Sequence, residues 1–75
     1  MNTTTQTTAP RNRIEREAHF HGMLVREREN ERILATMLRR YEAADYSVAT
    51  VDAIATALSR STERIAELRG ILCSL

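Results

Sequence analysis

Between Thr50 and Leu72 the apolar residues recur at helical spacing, and this pattern constrains the fold more than any other feature of the chain. Val51, Ile54, Ala55 and Leu58 stand at i, i+3, i+4 and i+7, which places all four on one helical face. Ile65, Leu68 and Leu72 follow the same rule, with Ile71 beside them. Between the two sets lies Ser59-Arg60-Ser61, and the interruption predicts a turn joining two short amphipathic helices. Thr50 and Ser61 can each accept from the orphan N–H groups of the helix that follows. Asp52 and Glu63 would then oppose the positive ends of the two macrodipoles.

Two helices joined by about three residues cross at a large angle and need a third element to close a core. In this respect the stretch resembles the helix-turn-helix family of DNA-binding modules over about twenty residues. Ala55 stands where the family's helices cross closely, Ile54 and Leu58 give the inward face of the first helix, and Ile65 and Leu68 that of the second. The sequence departs from the family at the turn, where Ser59 replaces the usual Gly and Arg60 replaces the usual apolar residue. The resemblance implies a small DNA-binding transcriptional regulator, with double-stranded DNA as its partner and a second helix entering the major groove. Arg60, Ser61, Thr62, Arg64 and Arg69 are then the candidate contacts. Few residues follow the second helix, so a β-wing is not expected.

Upstream, Met1 to Ala9 is polar and nearly without apolar groups to offset ordering entropy, which predicts a flexible tail over residues 1–10. Asn12 with Glu15 three residues on makes a capping box for a long helix. From Arg13 to about Ala43 the composition favours helix, with Gly22 as the one weak point where a rod could bend or split. Its first part carries Ile14, Ala18, Phe20, Met23, Leu24 and Val25. Arg26 to Arg32, RERENER, then has no apolar residue and reads as a solvated stretch supported by i+3 charge pairs such as Glu29 with Arg32. Ile33, Leu34, Met37, Leu38 and Tyr41 restore an apolar face.

The expected architecture is therefore all-α: a tail (1–10), an N-terminal helical segment (11–32) and a three-helix core (33–75) containing the helix-turn-helix pair. In that core Ile54, Leu58, Ile65 and Leu68 would pack against Leu34, Met37, Leu38 and Tyr41. The apolar group around Phe20 would have no partner inside its own subunit, and Ile14, Phe20, Met23 and Leu24 are the candidate homodimer interface.

Charge distribution qualifies the DNA reading. Residues 11–44 carry eight Arg and six Glu, whereas residues 45–75 carry three Arg against four acidic residues, so the motif itself is not basic. A second class of function stays open: a helical interaction protein, of the adaptor or inhibitor kind, that binds a host protein through the patch near Phe20 or through the C-terminal hairpin. All eleven basic residues are Arg, which reads as coding bias in a GC-rich bacterium or its phage.

Other chemistries find little support in the sequence. His19 and His21 are two residues apart, about 200° around a helix, and cannot chelate one ion in cis. Cys73 is the only cysteine, so no metal site, cofactor or internal disulfide is expected, and a reducing cytoplasm suits the chain. There is no glycine-rich phosphate loop, nucleophile elbow or membrane-length apolar run, and neither enzyme activity nor membrane insertion is expected.

Overall fold

The computed structural model describes residues 12–75, and the expectation of a tail over residues 1–10 lies outside them. The described residues are all-helical, with two elements: α1 (Arg13–Ala43) and α2 (Val48–Ser74). They pack against each other as an antiparallel hairpin.

The start of α1 follows the capping reading, since the Asn12 side chain accepts a hydrogen bond from the Glu15 N–H at 2.9 Å. The helix then runs without a break through Gly22 and across the expected boundary at 32–33. It ends in a Schellman motif. The Tyr46 N–H donates to the Tyr41 carbonyl at 3.1 Å, the Asp45 N–H donates to the Glu42 carbonyl at 3.1 Å, and Asp45 takes a positive φ of 60°. Asp is among the few non-glycine residues that enter this region with little strain. The apolar contact that accompanies the motif is the pair Tyr41–Tyr46, whose rings lie 4.4 Å apart.

Two expectations about the C-terminal half are corrected. The helix begins at Val48, capped by Ser47, whose hydroxyl accepts from the Thr50 N–H at 3.3 Å; Thr50 is therefore inside the helix and is not its cap. The predicted turn at Ser59 to Ser61 is also absent, because α2 continues straight through it. The tripeptide contains neither Gly nor Pro, and nothing in Ser-Arg-Ser forbids helical backbone. The described residues consequently form a two-helix hairpin, with no third helix to complete the expected core.

Burial is uneven along the hairpin. Towards its open end Leu24, Ile65 and Leu68 are buried together, with Phe20, Met23 and Leu72 packed on them. Phe20, Met23 and Leu24 thus have partners within their own chain, supplied by the C-terminal half of α2. Ile14, the fourth residue of the expected dimer interface, stays exposed. Towards the turn Ile54 is the one buried apolar side chain, while Leu34, Met37, Leu38, Tyr41 and Leu58 are half-buried. Ile65 and Leu68 therefore meet the Phe20 group and not the Leu34 to Tyr41 group, because an antiparallel partner running from Val48 reaches Leu68 only near the start of α1.

Candidate interaction face and its polar layer

At mid-hairpin the two apolar zones are separated by a layer of polar contacts. Ser61, which the sequence offered as a cap, is buried with 3% of its surface exposed. Its hydroxyl lies 2.5 Å from Glu27 Oε2 and 3.3 Å from the Glu27 main-chain carbonyl. The other contacts at this level are Asn30 Nδ2 donating to Glu27 Oε2 at 3.1 Å and Arg64 Nη1 standing 3.6 Å from Glu27 Oε1. Thr62 Oγ1 donates to Glu31 Oε2 at 2.8 Å. Glu27 belongs to the RERENER stretch that had been expected to be wholly solvated, yet its side chain is only 13% exposed. The expectation holds better for Glu29 and Arg32, which are exposed and ion-paired to each other.

The layer has an electrostatic consequence. The Ser61 hydroxyl, then the Asn30 amide, hold the Glu27 carboxyl below its ordinary range; the Arg64 charge adds to this and burial opposes it. A hydrogen-bonded carboxylate inside a helix pair also fixes register, since sliding one helix by a turn would leave it unpaired in a low-dielectric setting.

The polar layer identifies the two flanks of the hairpin. On α1, Asn30 and Glu31 stand to either side of Glu27. Arg64 meets the Glu27 and Asn30 group on one flank, and Thr62 meets Glu31 on the other. Helical repeats carry the first flank from Asn30 towards the turn through Leu34, Met37 and Tyr41, and from Arg64 back through Ala57 and Ala53. Between the polar layer and the turn the charge in these rows is that of Arg60, exposed four residues before Arg64 and three after Ala57. The second flank runs from Glu31 through Ala35 and Leu38 to Glu42, and from Thr62 through Leu58, Ala55 and Val51, so it ends on a carboxylate. The first flank is the more apolar face, and Tyr46, 52% exposed and stacked on Tyr41, extends it over the turn.

Of the five candidate DNA contacts, three are engaged inside the hairpin: Ser61 and Arg64 with Glu27, and Thr62 with Glu31. Arg60 and Arg69 are exposed and make no ion pair among the described residues. His19 and His21 are both exposed, with the His19 ring set edge-on to Phe20 at 5.1 Å. No group of three or more metal-ligating side chains occurs among the described residues, and Cys73 is exposed. Neither helix is long and apolar enough to cross a membrane.

Comparison with protein families, curated proteins and solved structures found no match. The functional reading therefore rests on the residues themselves. Sequence reasoning missed Glu27 because it stood in a run of charges. The available signal was its position on the α1 stripe, four residues after Met23 and seven before Leu34.

Proposed function

We propose that the chain is a protein-interaction module, an adaptor-type helical hairpin whose apolar flank, lined by Leu34, Met37, Tyr41, Ala53 and Ala57, docks on an apolar surface of a protein. The observation that carries this reading is the incomplete core at the turn end, where only Ile54 is buried and large apolar side chains remain half-exposed. A chain this small has a marginal core, and an apolar face left open is stabilised by a partner that covers it. A second observation supports it: three of the five side chains offered for DNA contact already have partners within the hairpin. Freeing Ser61 for phosphate would take from the Glu27 carboxylate its leading donor.

The rival reading, DNA binding, now rests on Arg60 and Arg69. Titration of the full chain with mixed-sequence duplex at low salt separates the two. The module reading predicts no binding up to about 100 µM, weaker than the ordinary non-specific range. Binding that falls steeply with added salt and is abolished by Arg60→Glu with Arg69→Glu would overturn it.

A further inference from the structure

The apolar flank is bordered by charge of one sign, and that border defines the kind of partner it takes. We propose that the groove between α1 and α2, from the polar layer to the turn, receives one amphipathic helix of a partner protein, whose apolar stripe is edged with carboxylates. This inference rests on the interaction-module reading and names the chemistry of the partner.

Charge is the first argument. Arg40 follows Met37 by three residues on α1, and Arg60 follows Ala57 by three on α2, so a guanidinium stands at each border of the groove. Both are exposed, and neither is ion-paired among the described residues. At the polar layer Arg64 adds a third positive charge, with 60% of its side chain exposed although it faces Glu27. The carboxylates lie elsewhere. Glu67 falls in the row of Ala53 and Arg60, but about two turns past Arg60 towards the open end; Glu42 and Asp52 lie towards the second flank, and Asp45 sits in the turn. An apolar strip between arginines is complementary to an apolar stripe between carboxylates, which arginine receives in a two-pronged fashion. A phosphate backbone would use the arginines but leave Leu34, Met37 and Tyr41 uncovered, and a second copy would bring the same positive border and not the opposite one.

Shape and area agree with a single helix. Leu34, Met37 and Tyr41 form the tall wall of the groove and Ala53 and Ala57 the low one, so a third helix can approach α2 closely while the unbranched Met37 fills around it. The described residues offer no sheet edge to which a strand could add. From Asn30 to the end of α1 the groove is about 20 Å long, the length of a helix of about 14 residues. Across two helices about 10 Å apart this gives a face of roughly 400 Å², half of the roughly 800 Å² per partner of a stable interface between globular proteins. Such a face is too small to hold two folded chains together by burial alone, and it matches one helix laid in a groove.

The test is selection of a displayed peptide library on the immobilised full chain at ~150 mM salt. Each peptide is a helix of about 16 residues with a fixed stripe of Leu and Ala, and with Glu, Lys or Gln at the positions bordering the stripe. Glu should predominate in the survivors, and a surviving peptide should shift the amide signals of Leu34, Met37, Tyr41, Ala53 and Ala57 in the labelled chain. Arg40→Glu with Arg60→Glu should weaken that peptide about tenfold or more, and selection on this variant should return Lys in place of Glu. Both arginines are exposed, so the change leaves the packing of the hairpin alone. Should the variant lose its helical signal, selection on the unaltered chain still decides. Survivors that favour Lys or Gln, survivors that shift signals elsewhere, or no survivors above the bare support overturn the proposal, as does a mass of two chains with the flank signals changing on dilution. Survivors on the flank without preference for Glu remove the acidic partner and leave the interaction-module reading standing, whereas salt-sensitive duplex binding removes that reading itself.

Discussion

At the scale of single residues, Ser61 and Glu27 decide how the two helices meet. Each interrupts an apolar stripe on its own helix, and each is satisfied by the other across the interface. This is why the sequence misled at both places: a polar residue inside a stripe reads as a boundary or a solvated stretch until its counterpart on the facing element is known. Glu27 ionises more readily in the folded chain than its ordinary value of 4.5, with Ser61 as the leading cause. A carboxyl with a depressed folded pKa contributes stability that is complete above that ordinary value and is lost as pH falls through the depressed one. Thermal stability should therefore decline on acidification below about pH 4.5. Ser61→Ala removes the leading donor and should cost about 1.5–3 kcal/mol at neutral pH, leaving a shallower acid decline. Melting curves of both proteins between neutral pH and pH 3 check this; a variant as stable as the unaltered chain at neutral pH would contradict it.

At the scale of the element, the long N-terminal helix, its Asn12 cap and the helical stripe from Ile54 to Leu72 were legible in the sequence, because spacing and capping depend on neighbours within a turn or two. The true turn was not. Its residues, Ala44 to Ser47, include no Gly or Pro, and the left-handed position that would announce it is held by Asp45. The predicted turn at Ser59 failed for the complementary reason: two serines suggested caps where the helix needed none. Continuity of α2 carries its own consequence at Gly70. A methyl group added there meets nothing within 4 Å, and the residue is exposed in regular helix, so only backbone entropy and helix propensity change. Gly70→Ala should stabilise the chain by about 1 kcal/mol. Chemical denaturation reads the gain as a higher midpoint with an unchanged slope; an unchanged or lower midpoint would place Gly70 outside a stable helix.

For the whole molecule, helix content and the absence of β-structure from the described residues could be read from composition and periodicity, but topology could not. A three-helix core and a two-helix hairpin use the same stripes. What separates them is whether Ile65 and Leu68 face Leu34 to Tyr41 or double back on Phe20, Met23 and Leu24. The hairpin spends the Phe20 group internally and leaves the Leu34, Met37 and Tyr41 flank open, which reverses the surface expected to meet a partner. The open flank exists because α2 is continuous through Ser59, Arg60 and Ser61. Carbon chemical shifts and backbone NOEs of the labelled full chain across Ser59, Arg60 and Ser61 test it most directly. The hairpin predicts helical shifts at all three residues, unbroken sequential amide contacts, and a contact between the side chains of Ile65 and Leu24. Coil or turn shifts at Ser59 to Ser61, with Ile65 in contact with Leu34 or Met37, would contradict it.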